Sequence, residues 1–336
     1  MASLDALSRS VKQLIPSSVK TRLRTLIGKP GRPTRPRTWI ARPDSLPWFD
    51  RSDALGLLGT RRQSERLSEV DYQRLRDWAT HGYFAVSGLV EHDLIDAMMR
   101  DLDGLWTTDT PREGLDIDGL KLSPEAPPAR VSHRDVCALP SAVRSAARDR
   151  SNWRVVGFHR VSDNARRIFS NPELARLASL IFGRPAAPNY ALNFMYGSTQ
   201  TEHQDSAVFH VFPPNYIAGA WIACEDISPD SGPLMYYPGS HREPLFHEFT
   251  NYPQTNLKTA APAVMQAYNE YAVELARKYE RRLFVARKGD VLFWHGMVLH
   301  GGSEVRNPSL TRRSFVIHYV PPGMDVSDQI VGPFNW

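Results

Sequence analysis

Cysteine is nearly absent from this chain of 336 residues: only Cys137 and Cys224 occur. Two cysteines so far apart make neither a disulfide framework nor a C-x-x-C metal or redox motif. Both sit among apolar residues, the setting of small buried side chains in a reducing compartment, so a cytoplasmic location is expected. Long hydrophobic runs are missing too. Stretches such as Val291-Leu292-Phe293-Trp294 fall far short of the ~20 apolar residues that span a bilayer. No uninterrupted apolar core follows the first charges, so no secretory signal is expected. Internal repeats are lacking, which excludes solenoids and propellers. What remains is an ordinary globular composition, 42% hydrophobic and 23% charged, in a chain long enough to bury a full core.

Acidic residues are scarce in one place only. Residues 1–42 hold ten Lys and Arg against a single acid, Asp5, a net charge of +9. The whole chain carries +5, so the remainder is net −4, the difference between the two. The basic character belongs to an N-terminal arm and linker, residues 1–60, and not to the body, residues 61–336. Within the arm, Leu4, Leu7, Val11, Leu14 and Ile15 recur at helical spacing until Pro16. Val19, Leu23, Leu26 and Ile27 then resume it opposite Lys and Arg. A Pro/Arg-rich stretch over residues 29–37 reads as an extended linker. Such an arm fits an anionic membrane surface. It also fits a transit-type targeting segment, or a solvated tail that packs on the body or not at all.

The body changes character along its length. Apolar spacing predicts helices over residues 64–81, 91–105 and 164–183, with Asn171-Pro172 restarting the last. Residues 82–88 read as a short strand. Residues 44–60 read as a connector anchored by Trp48 and Phe49, and the Pro- and Asp-rich residues 106–150 as a loop or lid. From residue 189 short β-rich runs dominate: 190–196, 208–212, 217–224, 235–237, 283–286, 290–294 and 314–320. One helical insertion, 262–279, interrupts them as a second candidate lid. Helices first and strands second predict an α+β protein whose sheets form a double-stranded β-helix, a distorted jelly roll, with N-terminal flanking helices.

The chemistry concentrates in His203-Gln204-Asp205. On a strand, residues i and i+2 share a face, and a third nitrogen from a distant strand would complete a triangle. Two imidazoles and one carboxylate on one face of an octahedron suit non-haem Fe(II), with three positions left for a co-substrate and O2. His300 and His295 both compete for the distal place. An H-x-D alone is weak evidence.

Four segments in order make it specific: Thr201-Glu-His-Gln-Asp205; Trp221 to Leu234 with Pro238-Gly-Ser-His241; Gly289-Asp-Val-Leu-Phe-Trp294; and Leu299-His-Gly-Gly-Ser followed by Thr311-Arg-Arg-Ser. Together they resemble the phytanoyl-CoA dioxygenase family of Fe(II)/2-oxoglutarate oxygenases over roughly residues 64–325. The resemblance implies iron on His203, Asp205 and His300. His300 is favoured over His295 because it precedes the Gly-Gly-Ser turn and stands twelve residues before Arg312. It further implies that Arg312 grips the far carboxylate of 2-oxoglutarate through a planar, two-bond fork. The neighbouring Arg313 would face the other way. Trp221 takes the place of a tryptophan near the co-substrate, or is a core aromatic. Asn193, Tyr196 and Ser314 are candidate hydrogen-bond donors to co-substrate or substrate, or packing residues. His210, His241, His247 and His318 lack ligand spacing of their own.

The implied reaction is hydroxylation of an unactivated C–H bond, with succinate and CO2 released. Asp205 argues against halogenation, since halogenating relatives lack that carboxylate. A nucleic-acid demethylase on the same scaffold would carry a second Arg six residues after the first, where this chain has His318. A non-catalytic jelly-roll binding protein would be expected to lack one of His203, Asp205, His300 or Arg312. The expected partner is a small-molecule, lipid-like or carrier-linked substrate, with membrane-surface contact through the arm, and not nucleic acid.

Overall fold

The computed structural model describes residues 46–326, apart from Thr199, Pro214, Asn251, Pro253 and Gln254. The readings of the basic arm lie outside the described residues. Two N-terminal helices, α1 (Ala54–Ser64) and α2 (Glu69–His81), open the body. Ser68 caps α2 by accepting a hydrogen bond from the Asp71 amide at 3.1 Å. Gly82 ends α2 at φ +80°, where a Cβ would strike Val298 and His241. α1 replaces part of the expected connector, and the folded elements begin ahead of residue 60. Gly56 and Gly59, which hide this helix from pattern reading, stand in open space.

Strand β1 (Tyr83–Val86), helix α3 (His92–Gly104), strands β2 (Asp116–Leu120) and β3 (Ala129–Ser132), and helices α4 (His133–Cys137) and α5 (Ser141–Arg150) follow. Residues 106–150 are therefore built structure, which corrects the expectation of an irregular loop. After β4 (Arg154–Val156), the predicted break separates α6 (Asp163–Phe169) from α7 (Pro172–Phe182), with Asn171 capping the latter. The remaining elements are β5 (Ala187–Phe194), β6 (Ala218–Ala223), β7 (Leu234–Tyr236), α8 (Pro262–Ala276), β8 (Arg282–Phe284), β9 (Val291–His295), β10 (His300–Gly302) and β11 (Ser314–Val320). The run 208–212 is no strand. Among the described residues no helix is long and apolar enough to cross a membrane.

Eight strands form the main sheet in the order β1-β9-β6-β11-β5-β4-β2-β3, and three form a smaller sheet, β10-β7-β8. All the pairings are antiparallel. The central strands β6, β9 and β11 are buried on both faces, so they read as continuous apolar runs. Alternation then decides what faces what. Phe315 and Ile317 of β11, with Ala191, Ala220, Ile222 and Phe293, pack outward against the helices. Val316, with Leu192, Trp221 and Leu292, packs inward against Leu234 and Tyr236 of the small sheet. The inner space between the two sheets is the jelly-roll interior, and the site lies there.

Candidate active site

A cavity of ≈ 60 Å³ opens between the sheets, several times the ~10–15 Å³ that one buried water needs. His203, Asp205, His300, Arg312, Trp221 and His318 all line it. The histidines meet because the chain pairs there. His203 and His300 exchange both backbone hydrogen bonds, each at 3.0 Å, in an isolated antiparallel bridge. Residues directly opposite each other point the same way, and the two ring centres stand 4.4 Å apart. Asp205 is not in a strand: it opens a 3-10 turn, Asp205–Ala207. The turn still delivers its carboxylate, so that one ligand atom from each of His203, Asp205 and His300 lies within 4.8 Å of the others.

Each imidazole is oriented by a backbone carbonyl. His203 Nδ1–H donates to Thr201 O and His300 Nδ1–H to Val298 O, both at 2.9 Å. With Nδ1 protonated, Nε2 of each ring carries the lone pair, the arrangement that metal-binding histidines use. Burial, together with the nearby His300, pushes the His203 pKa down to about 4, so its ring is neutral at pH 7 and ready to ligate. For Asp205, burial alone would raise the pKa. The charges of His300 and His318 and the His318 hydrogen bond outweigh it and hold the carboxyl below its ordinary range.

Arg312 is 2% exposed and stands just before β11. Its guanidinium lies 5.5 Å from the Phe194 ring centre and 5.6 Å from that of Trp221. Nη2 donates to Tyr196 O at 3.2 Å, while Nε has no acceptor. Among the described residues no carboxylate forms an ion pair with it. Burial lowers its pKa to about 10, with Glu225 pulling weakly the other way. It stays charged at pH 7. A buried cation without an anion is costly to keep, and this one faces a cavity that also holds three atoms able to hold a metal ion. An anionic ligand that reaches both would satisfy it.

The other candidates divide. Trp221 is buried and walls the cavity beside Arg312. Ser314 sits on the inner face opposite Phe194 and Ala223, its Oγ without a partner. Asn193 is not brought there. Its amide touches Met98 Sδ on the outer face, because Leu192 and Phe194 take the inward positions of β5. The Tyr196 side chain packs against the outer core, and only its carbonyl serves Arg312. Arg313 turns away to Glu225. His295 is engaged outside the barrel with Asp50 at 3.1 Å and does not line the cavity.

Four contacts escaped sequence reading. Trp294 Nε1–H and His318 Nε2–H both donate to Asp205 Oδ2, at 2.8 and 3.0 Å. The Gln204 amide donates to the Tyr268 hydroxyl of α8 at 2.8 Å, and Gln204 Nε2 donates to Met297 O at 3.1 Å. The insertion helix is thus fastened to the residue between two ligands. Tyr268 is fully buried against Phe246 and Phe249.

The sequence matches the family model for phytanoyl-CoA dioxygenase over residues 78–314. A zebrafish (Danio rerio) relative, phytanoyl-CoA dioxygenase domain-containing protein 1, is 27% identical over 143 residues, 42% of this chain and 44% of its own. The bovine (Bos taurus) peroxisomal phytanoyl-CoA dioxygenase is 26% identical over 151 residues, 45% of this chain and 41% of its own. The matched stretch spans less than half the length of these curated relatives. In structure, the chain resembles the epimerase SnoN solved with Fe3+, alpha ketoglutarate and nogalamycin RO (TM-score 0.54, 16% identity, 78% of this chain and 88% of that one). It also resembles EctD from S. alaskensis solved with bound Fe (TM-score 0.53, 16% identity, 76% and 77%). The family model covers most of the chain and the whole of the cavity's His–Asp–His group: this protein belongs to the phytanoyl-CoA dioxygenase family.

Proposed function

We propose that the protein is an Fe(II)/2-oxoglutarate-dependent dioxygenase that hydroxylates an unactivated C–H bond of a small organic, lipid-like or carrier-linked substrate. One observation carries the reading. Ligand atoms of His203, Asp205 and His300 share a cavity with the buried guanidinium of Arg312, whose Nε has no hydrogen-bond partner. The donor set fits the metal. Two neutral imidazoles and one carboxylate leave Fe(II) with net positive charge for an anionic co-substrate. When bound, iron with 2-oxoglutarate and O2 would supply the oxidising chemistry, with succinate and CO2 as by-products.

The chain's own part is binding, orientation and exclusion of water. His203, Asp205 and His300 would hold the metal. Arg312 takes the distal carboxylate of 2-oxoglutarate through charge-assisted hydrogen bonds, with Ser314 beside it on the same face. Trp221 and Phe194 wall the guanidinium with apolar rings, which strengthens that pairing. Contact of the basic arm with an anionic membrane surface belongs to the same proposal, as a route to a lipid-like substrate.

Anaerobic titration of metal-free protein with Fe(II) and then 2-oxoglutarate tests the reading. A visible metal-to-ligand charge-transfer band is expected in the wild type, absent in His203→Ala and His300→Ala and weakened in Arg312→Ala. A folded wild type without the band would overturn the proposal and favour a binding protein on a jelly-roll scaffold.

A further inference from the structure

Across the main sheet, one row of residues faces Asp205. His318 of β11 pairs with Gly219 of β6, and Gly219 pairs with Trp294 of β9. All three lie on the inner face. The glycine between them has no side chain, and Trp294 uses the space. A Cβ on Gly219 would sit 2.2 Å from Trp294 Cε2, so nothing larger fits under the indole. From the two ends of this row, an indole N–H and an imidazole N–H converge on the same oxygen, Oδ2 of Asp205, at 2.8 and 3.0 Å. The other oxygen, Oδ1, is left facing His300 Nε2 at 3.6 Å.

We propose that Trp294 and His318, spaced by Gly219, form a two-donor clamp that reserves Oδ2 and restricts Asp205 to a single metal bond through Oδ1. The inference rests on the reading of His203, Asp205 and His300 as metal ligands. A free carboxylate can chelate through both oxygens. With two donors on Oδ2, chelation would break two hydrogen bonds in a buried site, and unmade hydrogen bonds there are expensive. The clamp therefore keeps one more coordination position open for co-substrate or O2. His318 is a positioning residue in this scheme and not a fourth ligand. A carboxylate oxygen only accepts, so His318 Nε2 carries the proton, and the metal-ligand group of the described residues omits it. The place six residues after Arg312 is thus filled by a side chain committed to the ligand carboxylate.

The test uses Co(II), whose visible spectrum reports coordination without turnover. Full-length wild type, His318→Gln, His318→Leu and Gly219→Ala are titrated with Co(II) alone. The clamp predicts a dissociation constant raised about 10–100-fold in His318→Leu, with an altered ligand-field spectrum. His318→Gln, which keeps an N–H, should recover most of the affinity and the wild-type band shape. Gly219→Ala touches neither the metal nor Asp205, yet should reproduce the altered spectrum by displacing Trp294. If His318→Leu or, should it not fold, Gly219→Ala keeps wild-type affinity and spectrum, the clamp is wrong. Equal loss in His318→Gln and His318→Leu would also overturn it, because packing alone would then explain the defect. A folded wild type that binds no Co(II) would instead sink the underlying assignment of the ligands.

Discussion

Replacing Arg312 with methionine should make the ligand-free protein more stable while destroying its affinity for 2-oxoglutarate. Burial lowers the Arg312 pKa from 12.5 to about 10. At ~1.4 kcal/mol per pKa unit, holding the charge in that box costs about 3 kcal/mol. Methionine is shorter and carries no charge, and it can lie beside Phe194 and Trp221 in place of the arginine stem. Against the gain stands the bond from Nη2 to Tyr196 O, worth about 1 kcal/mol. The net expectation is a stabilisation of about 1–2 kcal/mol, of the size seen when buried charges give way to apolar side chains. Binding should move the other way. Loss of one partner of a buried charge pair costs about 2–5 kcal/mol, a fall in 2-oxoglutarate affinity of roughly 30-fold to several thousand-fold. Lysine keeps the charge but not the planar fork, and should bind with intermediate affinity. Urea unfolding of the metal-free protein gives the first quantity, and calorimetric titration of the Mn(II)-loaded protein the second. A metal-free variant less stable than wild type by 1 kcal/mol or more would refute the reasoning, as would unchanged affinity.

Three further outcomes follow from other parts of the molecule. Tyr268→Phe removes the acceptor of the buried Gln204 amide and should cost about 1–3 kcal/mol of stability. It should weaken Co(II) binding as well, measured on the folded variant; intact metal affinity would show that α8 does not hold the ligand loop. Burial depresses the His241 pKa from 6.5 to about 2 and that of His159 to about 4, so both are neutral in the fold. Such groups contribute stability that is complete above about pH 6.5 and lost as pH falls towards the folded pKa. His241 alone should cost the metal-free protein on the order of 2 kcal/mol between pH 6.5 and 4.5, with His159 adding to it, and a flat urea midpoint over that range would contradict the burial of His241. Removal of residues 1–42 should leave Fe(II) and 2-oxoglutarate binding unchanged, and loss of both in a folded truncation would show that the arm is part of the site.

Ligand chemistry made part of this site legible in the sequence. Few residue types bind iron, so His203 and Asp205 stood out by kind, while the family resemblance singled out His300 and, by the interval from it, Arg312. The inward or outward sense of the strand residues was not legible. β5 and β11 are buried on both faces, so hydrophobic alternation, the usual indicator of register, is missing. Asn193 accordingly looked as good a candidate as its neighbours, although it faces Met98. His318 could not be found at all. Its role depends on a contact with Asp205, 113 residues away in sequence. The elements of residues 106–150 were hidden for a different reason. Residues 106–150 carry many Pro and Asp, which obscure short elements that nonetheless extend the main sheet through β2 and β3. The 262–279 insertion has a helical pattern, but no pattern shows that its Tyr268 accepts a hydrogen bond from the Gln204 amide.

The unsatisfied polar atoms on β11 and just ahead of it argue for what completes this interior. Arg312 Nε, Ser314 Oγ and His318 Nδ1 are buried without partners, and all three belong to residues on the inner side. On the outer face Phe315 and Ile317 are packed apolar side chains, while Arg313 Nε and Tyr319 Oη also lack hydrogen-bond partners. Buried polar groups are normally paired, so leaving three along one line of a closed core is a destabilising choice for an empty protein. It becomes a sound one if a polar ligand occupies that line. Stability and occupancy are then linked: a ligand that binds only the folded state adds RT ln(1 + [L]/Kd), about 2.7 kcal/mol at a hundredfold excess over Kd. The same atoms that weaken the empty fold can orient a bound ligand, since Arg312 and His318 line one cavity with Asp205. On this argument the metal and its anionic co-substrate complete the core of the jelly roll, and the chain alone is the less stable, binding-ready state of the protein.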